Sequence, residues 1–523
     1  MLSSSAQFLT RYKETIMNIA IVGLGVAGNG SLKALIDFQN QHPTQPLTID
    51  IYDEAGHLGH GFPYQEDDDK LIMNSLAKDL SIDANNPHDL LDWLTTHHPD
   101  YCDPSAFIPR AMYGAYLKDR MATYLNNDHV RIHHQRIQDL QVVDQVGQPI
   151  TGSQDNPYHY QIQTADGQWQ ETIYQAVFLN IGHPPYADHY HLIGYDGYIH
   201  DPYPVSDKLD ILDPSQKIGI IGSGLTGLDV MRYLQYHFAG QLARSITFFT
   251  RSTPFSSVKQ GPYDGHIQAT FNWDWIKSQK AAHNGYIPLA NILETFMADM
   301  TANDVDIKRV IDRYGTGSIT EIRQELTQYD RDLQIFQIYT SIITPYLPDI
   351  YMGMSVLDRN TYKQEYLDIF EHFRRQMTHE ALQDIIQWYD EEKVSINDKL
   401  TDIKPHSDGG FEIIFENGSS KHVDILVNAA GFERQLLPAT EQDTFIKNMV
   451  DRDLFTPAVD GGVLVTWPKG QVTSQRFATH ENLFLTGRWI MTTQYGNNNA
   501  QMSFAFGQQV AEQFLERQVN AYK

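Results

Sequence analysis

Met17-Asn18-Ile19-Ala20-Ile21-Val22-Gly23-Leu24-Gly25-Val26-Ala27-Gly28 decides how the rest of the chain is read. An apolar, β-branched run leads directly into Gly-x-Gly-x-x-Gly. From Asn29 to Asn40 the spacing of Leu32, Leu35, Ile36 and Phe38 predicts a helix. A second run, Leu47-Thr48-Ile49-Asp50-Ile51-Tyr52, ends at Asp53-Glu54. Strand, glycine turn, helix, strand and acid, in that order, make a dinucleotide-binding unit. Gly23 allows the tight turn, Gly25 lets the backbone approach a pyrophosphate, and Gly28 lets helix and strand pack closely. Val26 and Ala27 lie in the turn that leads to the helix, whose free N–H groups and positive dipole end favour phosphate. Asp53 is placed to hold a ribose 2′-hydroxyl, with Glu54 in reserve.

The pattern recurs. After a connector punctuated by Pro202, Pro204 and Pro214, Lys217-Ile218-Gly219-Ile220-Ile221 leads into Gly222-Ser223-Gly224-Leu225-Thr226-Gly227-Leu228-Asp229. A helix follows through Leu234. The next strand, Ser245 to Thr250, closes on Arg251-Ser252 rather than on an acid. This is one supersecondary unit used twice. An acid at that place suits an unmodified ribose. Arg251, with Ser252 beside it, suits a 2′-phosphate, which a carboxylate would repel. The first unit therefore expects one dinucleotide and the second another, NADPH before NADH.

Elsewhere the pattern is coarser. Residues 129–143 alternate like a strand, and Tyr158 to Thr164 fits as a hairpin partner. Residues 273–393 are helical and aromatic, with Leu289, Ile292, Leu293, Phe296 and Met300 at helical spacing. The simplest role for such stripes is core packing; a substrate lid is the sharper one. Strands return at Gly410 to Phe415 and at Val423 to Asn428. Asn482 to Arg488 reads as strand and turn, and a polar loop from Gln494 to Gln501 precedes a last helix from about Met502. Residues 1–16 read as a disordered extension.

Lysine and arginine number 39 against 65 acids, a formal charge of −26 that repels nucleic acid and anionic membranes. One cysteine, Cys102, excludes an internal disulfide, a Cys-x-x-Cys redox pair and a Cys-rich metal site, and fits a reducing cytoplasm. No apolar run is long enough to span a bilayer. No metal-ligand spacing emerges.

Five segments resemble one family: the opening fingerprint; Gly59-His60-Gly61-Phe62-Pro63-Tyr64 with Leu71-Ile72-Met73-Asn74; Phe107-Ile108-Pro109-Arg110 through Leu117; Tyr198-Ile199-His200-Asp201-Pro202-Tyr203; and Ile220 to Val230. The chain resembles the two-dinucleotide-binding-domain flavoproteins. Within these it is similar to the flavin-dependent monooxygenases and N-hydroxylases, and most of all to a urate-hydroxylase-like FAD/NAD(P)-binding branch. The resemblance covers the first half and leaves residues 273–393 unmatched. It implies an α/β fold of two Rossmann-like domains with a mostly helical insertion. The expected division is an FAD-binding domain over 17–205 and 436–523, and an NAD(P)-binding domain over 206–435 carrying the insertion 273–393. It implies FAD on the first unit and NADPH on the second. Asn74 and Arg110 would lie near the flavin and its pyrophosphate. Asn180-Ile181-Gly182 and Ala429-Ala430-Gly431 would take the places of the family's crossover turns, both without their threonine. Gly487 and Arg488, with Trp489, would wall the flavin ring. His200 sits in a Gly…His pattern one residue short of the related monooxygenases, and a linker histidine donating to backbone is the simpler reading.

The activity expected from this is FAD-dependent NAD(P)H oxidation, foremost a monooxygenase. NADPH would reduce FAD, O₂ would add to the reduced flavin, and one oxygen atom would pass to a small molecule. Two rival readings stand beside it. One is an NAD(P)H oxidase or reductase without hydroxylation. The other is a non-catalytic dinucleotide-bound redox sensor or scaffold. No residue is singled out as catalytic, because the flavin carries the chemistry. The aromatic insertion could serve a homodimer.

Overall fold

In a computed structural model the described residues are 16–153, 158–496 and 499–521. Of the extension expected at 1–16, only Ile16 falls within them; Asn497 and Asn498 of the polar loop lie outside.

Two sheets, one mostly and one wholly parallel, carry the molecule. The larger runs Val465–Thr466, Gln471–Ser474, Ala478–Leu485, Ala176–Leu179, Met17–Val22, Leu47–Tyr52, Val130–His133. Its last five strands are parallel, and the first two extend it antiparallel. The smaller runs Val394–Asn397, Ile246–Phe249, Ile218–Ile221, Ile425–Asn428, Tyr198–Ile199, all parallel. Strands covered on both faces need no polar alternation. Hence Ile19, Ala20 and Ile21 in the first sheet and Ile220 in the second are fully buried.

The two fingerprints build the same turn. Gly23 and Gly222 have φ of +84° and +88°; a Cβ on them would lie 2.2 Å from the Asn180 carbonyl and 2.7 Å from the Ala429 carbonyl. Gly28 and Gly227 would press a Cβ to 2.3 and 2.5 Å from the carbonyls of Gly23 and Gly222. Each first glycine thus lets the turn pass under a crossover strand, and each third lets the helix sit on the turn. The helices Val26–Gln41 and Leu225–His237 follow, each with a glycine N-cap and no side-chain cap.

The C-terminal helix Ala500–Ala521 lies across Val26–Gln41. A Cβ on Gly30 would stand 2.0 Å from the Phe504 carbonyl, and one on Gly507 2.0 Å from the Ala27 carbonyl. Glycine inside a helix costs about 1 kcal/mol against alanine. Here it permits backbone contact between the two helices.

Residues 129–143 form two strands, Val130–His133 and Ile137–Val143, and only the second makes the expected hairpin, with His159–Thr164. Val423 to Asn428 likewise divides. Ser420–Val423 closes a meander with Leu400–Pro405 and Phe411–Phe415, while Ile425–Asn428 enters the smaller sheet. Nine α-helices lie between Trp273 and Asp390. Most share their own core around Phe336, Tyr339 and Phe373. The last, His379–Asp390, packs Leu382 and Ile385 onto the smaller sheet's core. Among the described residues no helix is long and apolar enough to cross a membrane, and no group of three or more His, Cys, Asp or Glu is poised to hold a metal.

Candidate functional site

A cleft of about 760 Å³ lies between the two units. That is in the upper part of the range for small-molecule sites. Gly23, Gly25, Val26 and Ala27 line it from the first unit, and Leu225 and Thr226 from the second. Gly25 meets only the Gly61 backbone, whose Cα lies 3.4 Å from a built Cβ, and Gly224 meets nothing within 4 Å. The middle glycine of each fingerprint is therefore open, as backbone approach by a phosphate requires.

The segment Gly59–Tyr64 folds over the first fingerprint. The Gly59 N–H donates to the Leu24 carbonyl (2.9 Å), and Asn29 Nδ2 to the Gly59 carbonyl (2.7 Å). The helix Arg110–Leu125 reaches the same place because Gly114 sits against the Tyr64 carbonyl, where a Cβ would stand 2.0 Å away. Leu71 to Met73 pairs with Ile108 to Arg110 through Met73 N–H to the Ile108 carbonyl and Arg110 N–H to the Leu71 carbonyl, both 2.8 Å. The five segments that carried the resemblance thus converge on one cleft.

Asp53, Glu54, Asn74, Gly182, Gly487 and Arg488 all line it. Asp53 is partly committed: one oxygen accepts the Leu24 N–H (2.7 Å) and the other the Glu54 N–H (2.8 Å). It fastens the glycine turn. The exposed Glu54, held loosely by His57 at 3.6 Å and Arg136 at 4.0 Å, is the freer acid for a ribose. Gly28 is buried beneath the turn and shapes it from behind.

Arg110 lines the cleft as well, and its guanidinium is paired there within the protein. Its guanidinium donates to Asp229 Oδ2 (2.5 Å), to Tyr203 Oη (3.4 Å) and, through Nε, to the Ile72 carbonyl (3.1 Å). Tyr203 also donates to Asp229 Oδ2. Burial would lower the Arg110 pKa, but Asp229 and Tyr203 outweigh it and hold the guanidinium charged. Asp229 comes from the second unit's helix, so this cluster bolts the two units together at the cleft wall. Arg110 faces a carboxylate before it faces any pyrophosphate. The sequence signal for Asp229 and Tyr203 lay inside the segments already quoted: an aspartate on a helix whose neighbours are apolar, and the tyrosine closing Asp201-Pro202-Tyr203.

Arg488 stays near the cleft with no side-chain hydrogen bond or ion pair among the described residues. Burial, with Arg375, Arg374 and Arg434 nearby, brings its pKa down to about 10, which leaves it charged at neutral pH. His183, next to Gly182, stacks on Phe432 at 4.6 Å, and its Nδ1 has no partner. Burial, then the Arg488 charge, lowers its pKa to about 3, so it is a neutral imidazole. Gln494 Nε2 is also buried without a partner. Orphaned polar atoms in a cleft wall fit a polar ligand that would satisfy them.

Gly222, Gly224, Gly227, Arg251 and Ser252 do not line this cleft. Gly222 and Gly227 shape the second turn, while Gly224, Arg251 and Ser252 are exposed. The second fingerprint opens outward, reaching the cleft only through Leu225 and Thr226. His200 bonds Gln442 Oε1 (3.0 Å) and approaches Asn428 Nδ2 (3.5 Å), side chains rather than backbone. The crossover turns run side by side: Ala187 N–H donates to the Gly431 carbonyl (3.0 Å) and Glu433 N–H to the Pro185 carbonyl (2.8 Å).

Residues 20–184 match the profile of a family described as FAD-NAD(P)-binding. An uncharacterized Escherichia coli (strain K12) protein, YdhS, is 25% identical over 228 residues, 40% of this chain and 38% of that one. The match thus spans less than two fifths of that relative's length. Ornithine hydroxylase of Pseudomonas aeruginosa superposes with a TM-score of 0.59 at 11% identity, over 96% of this chain and 100% of that one. The ornithine N-hydroxylase of Kutzneria sp. 744, with reduced FAD, NADP⁺ and L-ornithine, gives 0.58 at 11% identity over the same shares. The FAD-bound cadaverine monooxygenase of Erwinia amylovora gives 0.52 at 13% identity, over 97% and 96%. These likenesses fix the fold: two dinucleotide-binding units with a helical insertion.

Proposed function

We propose that this chain is an FAD-dependent, NADPH-oxidising oxidoreductase, and within that class a monooxygenase that hydroxylates a small molecule. One observation carries the reading: the open ends of two dinucleotide fingerprints, Gly25 to Ala27 and Leu225 to Thr226, line a single cleft. Dinucleotides seated on both would bring their redox rings together between the units. FAD supplies the hydride and oxygen chemistry.

The chain's own residues position and enclose. The N–H groups of Val26 and Ala27 would hold the pyrophosphate of FAD. Glu54, with Asp53, would take its ribose. Asn74, Gly182, Gly487 and Arg488, on the cleft wall, would enclose its ring. Arg488, cationic there, would favour negative charge on that ring. Gly222, Gly224, Leu225, Thr226 and Gly227 would seat NADPH, and Arg251 and Ser252 would take its 2′-phosphate. The ornithine- and cadaverine-hydroxylating neighbours support a small-molecule substrate and O₂. The exposed lone Cys102 supports a reducing, cytoplasmic setting.

The test is to purify the protein, record a flavin spectrum and follow NADPH oxidation over amino acids, amines and purines. Substrate-stimulated oxidation with a hydroxylated product supports the proposal. Peroxide without product makes the protein an oxidase, and no turnover with any acceptor makes it a sensor or scaffold. Arg251→Ala should weaken NADPH about tenfold or more and leave NADH nearly unchanged, since charge-assisted hydrogen bonds are worth roughly 1.5–3 kcal/mol before solvent screening. Equal weakening of both removes Arg251 from the site.

A further inference from the structure

We propose that the helical insertion holds a second site, one that takes a single uncharged, ring-sized apolar molecule such as toluene or indole. Its seat is a cavity of about 150 Å³ among the insertion's helices. Leu293, Phe296, Ile350, Tyr366, Phe370 and Tyr495 are among its walls. Protein interiors leave few voids larger than a water molecule. An apolar cavity of this size fits a benzene-sized guest. The lining side chains lack contacts on one side, and a guest of matching shape restores them.

The walls select against charge. The Tyr495 hydroxyl is already used, donating to Glu371 Oε1 (2.9 Å) and sharing a hydrogen bond with Tyr362 Oη (2.7 Å). Glu371 is itself paired with Arg374. A charged carboxylate would lose its hydration there and gain no partner, and an ammonium would gain only ring faces in return. This site therefore differs in chemistry from the polar cleft between the units, and the inference stands whether or not that cleft carries out the proposed reaction.

Tyr495 joins the two places. Its ring stacks on Tyr351 at 4.7 Å and forms part of the cavity wall. Met491 and Gln494, on the same loop, line the large cleft. The next residue, Gly496, accepts a hydrogen bond from Arg374 (3.2 Å) and sits on Leu347, where a Cβ would stand 2.8 Å from Cδ1. A guest that presses on Tyr495 therefore acts on the cleft wall.

The test titrates the flavin-loaded protein with toluene and with indole by calorimetry and thermal melt, using benzylamine and benzoate as charged counterparts. For seven to nine heavy atoms the expected dissociation constant is on the order of 0.1–1 mM. Leu293→Trp and Ile350→Phe fill the cavity from two sides. At least one that keeps the wild-type circular dichroism should bind at least tenfold more weakly. Failure of both neutral rings to bind, equal affinity in a folded filled variant, or benzylamine binding as tightly as toluene each overturns the proposal. The visible flavin spectrum should shift on guest binding, and Tyr495→Phe should keep the binding while reducing the shift. A wild-type spectrum that does not move refutes the link to the cleft.

Discussion

Removing the charge of Arg110 tests the bolt between the two units. Arg110→Met leaves Asp229, whose side chain is 7% exposed, with a phenol as its remaining side-chain partner. An uncompensated buried carboxylate costs about 3–5 kcal/mol. Asp229→Leu strands the guanidinium, which is 20% exposed and keeps Tyr203 and the Ile72 carbonyl, so its cost should be smaller, about 2–3 kcal/mol. With both changes no charge is stranded and the Tyr203 hydroxyl alone loses its side-chain partners, so the cost should fall to about 1–3 kcal/mol. The cycle then returns a coupling of several kcal/mol. Urea unfolding of the apoprotein, followed by far-ultraviolet circular dichroism and by tryptophan fluorescence, reads it out. The contact spans two units, so each single variant should also split one transition into two. Costs that add, or single variants within 1 kcal/mol of wild type, would refute the view that this cluster holds the units together.

Two further outcomes are expected. Gly23→Ala places a methyl 2.2 Å from the Asn180 carbonyl at φ +84°, and should lose flavin and several kcal/mol of stability. Gly224→Ala, with φ −68° and open space around it, should fold normally, and melting curves of the pair should separate clearly. Burial pushes the Glu325 carboxyl up to about 8, against hydrogen bonds from Ser257 and the Val258 N–H. The folded chain then keeps a proton that the unfolded chain releases near 4.5. This contribution is full below that value and lost as pH rises through about 8. At about 1.4 kcal/mol per unit the loss approaches 4–5 kcal/mol. Glu325→Gln should therefore flatten the decline of melting temperature between pH 5 and 8.5, and parallel curves for variant and wild type would refute it.

The fold was legible in the sequence because a glycine turn is a backbone requirement. Gly23 and Gly28, like Gly222 and Gly227, hold places no side chain can take, so their spacing survives in the text. The cleft was legible for the same reason wherever backbone faces it. Side-chain partnerships were less so. Nothing local to Arg110 tells that its partner is Asp229, 119 positions away. Nothing near Asp53 tells that its carboxylate also fastens the glycine turn. His183 follows a quoted turn directly, yet nothing local tells that it stacks on Phe432 with its Nδ1 unpartnered. The short antiparallel strands Val465–Thr466 and Gln471–Ser474 were missed because two- and four-residue strands carry too little periodicity to detect.

The strand Ala176–Leu179 is bonded to Met17–Val22 on one side and to Ala478–Leu485 on the other. A ribosome makes the first pair early and the third strand only after residues 180–477, about 15–60 s later at roughly 5–20 residues per second. Through that interval the nascent sheet presents an apolar edge of Val177, Phe178 and Leu179, with free N–H and C=O groups. The helix that seals Gly30 arrives later still, when Gly507 emerges. The first fingerprint to be synthesised is therefore finished after the second, whose sheet is complete once Ile425–Asn428 is made. Slow or interrupted translation of the insertion would lengthen the time in which that edge can pair with another chain.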